Sequence, residues 1–581
     1  MIKASDYIAQ ALVDAGISEV FMVVGGAAMH LNDSFGKHPD LRVTCFHHEQ
    51  ACAMAAESYF RLTGKLACVC VTSGPGALNA ITGVHGAWTD SMGMLVLSGQ
   101  VKRETINTDS NLRQLGDQEV DIVSMVRGIT KYTVPVLTPA EIPFHLPRAI
   151  RMASTGRPGP TWLDIPVDMQ GTEIDASLPI SRIVEPEHRL STGEAKMVCR
   201  RIIAAKRPVI LAGSGIRIGH AVEEFQMLVD KLGIPVVTAF NAHDLLPDGH
   251  PFLCGRQGTI GDRAGNLAAQ NADFLLILGS RMNIRSLGYN WKAFAPKAYK
   301  VMVDIDLAEL QKRTLKIDHP IWEDVGFFIH KMLENVSPVG CPDWVSMCKR
   351  WQAKYPVVRP EYYESETLNP YVFIEQLFKR LREDDIIVCG NGSACVMTFQ
   401  AAKIKDGQRL YSNSGSAAMG WALPAAIGAA RGAMPGQRVI CIDGDGSFQM
   451  NVQEMATIAH NDLNIKIFVL NNGGYHSIRQ TQKRYFPDSP IGFSESTGVG
   501  FPSLEGLADA YGLGYTWYTP DRLKGLLAWR GPDLCEVEVD QNQPFSPKLM
   551  SRILPDGTME SPTLDNMWPW LSPEEQKENT P

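Results

Sequence analysis

Short apolar, β-branched runs recur along the chain, each followed by a turn rich in Gly or Asn and then by apolar positions at helical spacing. That alternation predicts parallel strands joined by crossover helices, hence an α/β fold. The runs fall into three blocks. The first, 1–175, holds EVFMVVGG, LRVTCFHHE, KLACVCVTSGPG and GMLVLSGQV, and closes in the Pro/Gly-rich RPGPTWLDIPVDMQ. The stretch SLPISRIVEPEHRLS then reads as a linker. The second, 190–336, holds RPVILAGSG, GIPVVTAF, ADFLLILGS and KVMVDID, and SPVGCPDW punctuates its end. The third, 365–545, holds DDIIVCGNGS, QRVICIDGDGS, IKIFVLNNGG and DLCEVEVD. Three doubly wound parallel-sheet domains are expected, followed by a polar, Pro-rich tail, 546–581. The apolar island MWPWL in that tail predicts that it lies ordered on the body.

Composition narrows the function classes. At roughly 150 residues per domain, 581 residues suit three or four compact units rather than a lone binding module. The 55 Lys and Arg against 63 Asp and Glu leave a formal charge of -8, which offers no basic surface to a nucleic-acid backbone. The 12 Cys are scattered without zinc spacing, as expected of reduced, buried thiols in a cytoplasmic protein. Asp6 and Gln10 interrupt what would be the apolar core of a signal peptide, and no apolar run approaches the ~20 residues of a bilayer span. No membrane association is expected.

The most informative stretch is VICIDGDGSFQMNVQEMATIAHNDLNIKIFVLNNGGY. One strand delivers Gly444, Asp445, Gly446 and Ser447; the next delivers Asn472, followed by Gly474. Asp445 and Asn472 are 27 positions apart, the length of a strand–helix–strand unit, so a right-handed crossover sets both at one carboxyl edge of the sheet. A carboxylate, an amide oxygen and the Gly474 carbonyl form a hard-oxygen ligand set for Mg²⁺ holding a diphosphate. The glycines admit the phosphates, and the helix that starts there supplies N–H donors.

That stretch resembles the diphosphate-binding motif of thiamine-diphosphate enzymes, in particular the acetolactate synthase family. HEQACAMAAESYFRLTGK, TSGPGALNAITGVHGAWTDSMGMLVLSGQV, SGSAAMGWALPAAIGAA and the order of the blocks are similar to the same family, over nearly the whole chain. The resemblance implies three domains: aminopyrimidine-binding, central Rossmann-like and diphosphate-binding. It places Glu49 on the glutamate that hydrogen-bonds the aminopyrimidine and drives proton removal from the thiazolium carbon. His48 and Gln118 match polar residues reaching the active site from the first block. Met419 matches the apolar side chain that bends the cofactor, and Asn391, Gly392 and Ser393 a loop that also touches the diphosphate. In the loop VVGGAAMH, Val24 stands before Gly25 and Gly26 where the synthases usually carry proline, with His30 close behind.

By the same resemblance the middle block carries a candidate FAD site at Gly213, Gly215, Arg281, Asp304 and Asp306. The implied activity is decarboxylation of a 2-keto acid, most simply pyruvate, and transfer of the acyl unit to a carbonyl acceptor. A second pyruvate as acceptor gives acetolactate; a ketone or keto-sugar, as in cell-surface sugar biosynthesis, gives a branched 2-hydroxyketone. Simple decarboxylation and a catalytically silent subunit are further readings. Because Glu49 and the phosphate loop lie in different domains, the resemblance also implies a homodimer or homotetramer with the site between subunits.

Overall fold

In a computed structural model of the chain, residues 1–109, 111–175, 189–554 and 556–581 are described. The linker read at 177–191 lies, up to residue 188, outside them. Each of the three blocks folds around a six-stranded parallel sheet. In the first, Glu19–Met22 (β1), Arg42–Cys45 (β2), Cys68–Val71 (β3), Met94–Gln100 (β4), Tyr132–Pro135 (β5) and Pro160–Pro166 (β6) stand in the order β2-β1-β3-β4-β6-β5. In the second, Pro208–Ala212 (β7), Val236–Thr238 (β8), Leu253–Arg256 (β9), Phe274–Leu278 (β10), Tyr299–Asp304 (β11) and His319–Trp322 (β12) run β9-β8-β7-β10-β11-β12. The third uses Ile386–Cys389 (β13), Arg409–Tyr411 (β14), Val439–Gly444 (β15), Ile465–Asn471 (β16), Gly514–Trp517 (β17) and Asp533–Glu538 (β18), ordered β14-β13-β15-β16-β18-β17. The first and third sheets therefore share one topology; the middle sheet has the Rossmann order. The central strands are buried on both faces by helices, which explains their unbroken Val, Ile and Leu.

The block boundaries differ from the sequence reading in one respect. The middle unit extends past 336: helix Pro342–Lys354 lays Trp344, Cys348 and Trp351 into the core of the middle domain. Leu564 of the tail joins that core, and Arg263 donates to the carbonyls of Met567 and Pro569.

The first and third domains are not separate bodies. One apolar core runs through both, where helix Glu49–Thr63 packs on helix Ala422–Gly432. Their contact faces are made of small residues, among them Ala51, Ala55, Ala425 and Ala429, so the backbones approach closely. A Cβ on Gly428 would stand 2.0 Å from the Ala55 carbonyl oxygen. Gly428→Ala is expected to force the helices apart and cost about 1–3 kcal/mol. A lowered midpoint in chemical denaturation checks this; an unchanged midpoint contradicts the tight crossing.

Candidate active site

Three neighbouring strands of the third sheet, β13, β15 and β16, end at one edge and bring Ser393, Asp445 and Asn472 together. Asp445 opens the short helix Asp445–Phe448 and is buried. Its Oδ1 accepts from Gly446 N at 2.8 Å, and its Oδ2 from Gly474 N at 2.9 Å and Asn472 N at 3.2 Å. Burial nevertheless pushes its pKa up to about 6, the backbone donors only partly offsetting the lost hydration. Next to it Asp443, also fully buried, is pushed up to about 7 by burial. Asn472 donates weakly to Ser393 Oγ at 3.4 Å, while its Oδ1 is buried without a hydrogen-bond partner among the described residues. An amide oxygen of this kind beside a buried carboxylate is a hard-oxygen donor set of the type that suits a divalent cation. Among the described residues no three or more His, Cys, Asp or Glu converge as metal ligands.

Sequence reasoning missed Arg479. From helix His476–Tyr485 its buried guanidinium donates to Asn472 O at 2.9 Å and Gly473 O at 2.8 Å, fixing the loop that presents Asn472 and Gly474. Nothing in the local pattern signals it, because its partners are backbone carbonyls. Gly446 is required by packing: a Cβ there would lie 2.3 Å from the Tyr475 ring.

Met419 is not in a helix. It sits half-buried in the turn before helix Ala422–Gly432, and that turn is fastened on both sides. Ala417 N donates to Asn413 Oδ1 at 2.9 Å, and Asn391 Nδ2 to Ala417 O at 3.0 Å. Gly420 N donates to Ser447 Oγ at 3.0 Å, and Asn451 Nδ2 to Gly420 O at 2.8 Å. Asn391 and Ser447 thus tie the Met419 turn to the ends of β13 and β15. Gly392 follows Asn391 with φ +59 at the start of helix Gly392–Ala401. Gly444 ends β15 directly before Asp445.

Glu49 begins the helix after β2 at the carboxyl edge of the first sheet. It is only 9 % exposed, and its Oε2 accepts from Asn79 Nδ2 at 3.0 Å. His48 beside it caps the helix, its Nδ1 accepting from Gln50 N at 3.1 Å. Gln118 lies at the same edge, its backbone oxygen packed on Gly74, but its side chain is exposed. Val24 is 61 % exposed at this edge, whereas His30 packs on Gly171. Among the described residues no hydrogen bond or ion pair joins Glu49 to Asp445 or Asn472.

A cleft opens at the middle domain, lined by Gly215, Arg281 and Asp304, and by Asp90, Arg157 and Ser414 from the flanking domains. Burial pushes Asp304 up to about 6. Gly213 packs its backbone on Gly279 behind the lining. Asp306 is engaged elsewhere, pairing with Arg157 Nη1 at 2.8 Å and capping helix Leu307–Gln311.

Three family profiles match in the order of the sheets: the N-terminal TPP binding domain of thiamine pyrophosphate enzymes over residues 2–125, their central domain over 195–332 and their C-terminal TPP binding domain over 390–529. The chain belongs to the thiamine pyrophosphate enzymes. It is 33 % identical to the acetolactate synthase large subunit of Lactococcus lactis, over 88 % of this chain and 87 % of that protein. It is 33 % identical to the probable acetolactate synthase large subunit of Methanocaldococcus jannaschii, over 93 % and 92 %. Isozyme 3 of the Escherichia coli large subunit is 30 % identical over 88 % and 89 %. The protein is thus a thiamine-diphosphate-dependent enzyme, whose Asp445–Asn472 edge lies in the C-terminal cofactor-binding domain and Glu49 in the N-terminal one. No helix among the described residues is long and apolar enough to cross a membrane.

Proposed function

We propose that this enzyme decarboxylates pyruvate and joins the resulting two-carbon unit to a second pyruvate, giving acetolactate. Bound thiamine diphosphate supplies a carbon nucleophile and an electron sink, which let a 2-keto acid release CO₂ and pass on its acyl unit. The chain's own groups do the rest. Asp445, the Oδ1 of Asn472 and the carbonyl of Gly474 would hold Mg²⁺, and backbone donors at Gly446 and Ser447 would be available to the diphosphate. Met419, held by its fastened turn, supports the cofactor rings. Glu49 would take up and return a proton at its carboxyl beside the aminopyrimidine, a role that its burial would shelter from water.

The observation that carries this reading is the pairing of the orphaned Asn472 oxygen beside buried Asp445 with a sheltered carboxyl at Glu49, in a chain that aligns with acetolactate synthase large subunits over most of its length. Glu49 and Asp445 belong to different domains, and in this reading the working enzyme is a homo-oligomer in which Glu49 of one subunit faces the diphosphate loop of another. Gly215, Arg281 and Asp304 offer the middle cleft to the ADP part of FAD. Gly213 acts there only through packing, and Asp306 through its hold on Arg157.

Mass-spectrometric product analysis with pyruvate, thiamine diphosphate and Mg²⁺ tests the assignment. Acetolactate and CO₂ in a one-to-one ratio are expected without any other acceptor, and the protein as purified is expected to show flavin absorbance. Acetaldehyde as main product, or adducts formed only when another ketone is supplied, would replace the second pyruvate as acceptor.

A further inference from the structure

Helix Glu49–Thr63 and helix Pro75–Asp90 of the first domain carry three charged residues that play no part in the chemistry above: Glu57, Arg61 and Asp90. All three are buried away from solvent. Arg61 Nη2 lies between the two carboxylates, 2.5 Å from Glu57 Oε1 and 2.9 Å from Asp90 Oδ2. Both acids also accept hydrogen bonds from the third domain, in part at the same oxygens that Arg61 holds. Glu57 accepts from Trp421 Nε1 at 2.7 Å and from Asn413 Nδ2 at 3.1 and 3.2 Å. Asp90 accepts from Ser414 N at 2.8 Å and Ser414 Oγ at 3.2 Å. Between these anchors lies the segment that contains Met419. From the middle cleft, Arg281 Nη2 approaches Asp90 Oδ1 at 3.6 Å.

Two carboxylates of one domain thus grip both ends of a segment of another, and the segment's middle presents Met419. Burying two acids and a guanidinium is costly for stability alone, since an apolar cluster of similar volume would do as well or better. What the carboxylates provide is direction: their oxygens accept from Asn413, Ser414 and Trp421 at once, which fixes where residues 413–421 stand. We propose that Asp90 is a positioning residue of the thiamine diphosphate site, setting from the first domain the turn on which Met419 supports the cofactor. This rests on the reading of Met419 given above.

Isothermal titration calorimetry of thiamine diphosphate in the presence of Mg²⁺ tests it on the full-length protein, with thermal unfolding measured in parallel. Asp90→Ala is expected to weaken cofactor binding at least tenfold and to lower kcat at saturating cofactor. Asp90→Asn keeps an acceptor for Ser414 N and is expected within threefold of the parent protein. A merely structural role would lower Tm and leave the cofactor Kd of the folded protein unchanged, and that result overturns the proposal. Should Asp90→Ala not fold, Asp90→Ser decides, because its shorter side chain gives up the contact to Ser414 N while staying polar: binding at least tenfold weaker supports the grip, and parent-like binding sinks it. If the parent protein itself binds no thiamine diphosphate, the reading of the Met419 site falls together with this inference; parent binding with an indifferent Asp90→Ala removes the positioning role alone.

Discussion

Glu49→Gln is expected to retain the fold and the cofactor while pyruvate turnover falls by about 10²–10⁴-fold, the range of a lost acid–base group. The amide has the size of the carboxyl and can turn its oxygen toward Asn79 Nδ2, so the contact at 3.0 Å survives. It cannot take up or release a proton near neutral pH. Initial rates of CO₂ release, beside calorimetric cofactor binding, separate the two effects. Near-normal turnover with bound cofactor would remove Glu49 from the relay, whereas loss of cofactor would make it a binding residue.

The second large effect is expected at Asp445. Asp445→Ala removes a prospective Mg²⁺ ligand and the acceptor of three backbone N–H groups, from Gly446, Asn472 and Gly474. Those donors then have nothing to hold the loop in the shape that presents Asn472 Oδ1. At least a hundredfold higher concentration of Mg²⁺ and thiamine diphosphate should be needed for half-maximal activity after dialysis against a chelator. The protein without metal or cofactor should also lose stability, by about 1–3 kcal/mol, because buried backbone donors are left without an acceptor. An unchanged metal requirement would move the site elsewhere.

How far the residues announce all this depends on where they stand. In each sheet four strands are legible as apolar runs and two are not. Among the missed strands β5, β9, β12, β14 and β17 lie at sheet edges, where one side lacks a strand partner and the run is short or mixed, as in Arg409–Tyr411. The sixth, Pro160–Pro166, is fully buried but starts and ends in proline, so it reads as punctuation. In the site, Asp445 and Asn472 are legible because two adjacent strand ends place them by topology alone. Arg479, Asn79 and Asn451 are not, since each acts through a contact that no periodicity encodes. His48 shows the converse: conspicuous beside Glu49 in the sequence, it holds the first turn of a helix.

The core shared by the first and third domains also bears on how the chain is made. The alanine face of helix Glu49–Thr63 and the buried acid Glu57 find their cover only when residues such as Trp421, 364 positions further on, have been added. At about 5–20 residues per second, a ribosome needs roughly 20–70 s to supply them. During that interval the emerging first domain displays an unfinished apolar surface with a charge embedded in it, a natural binding target for chaperones on the nascent chain.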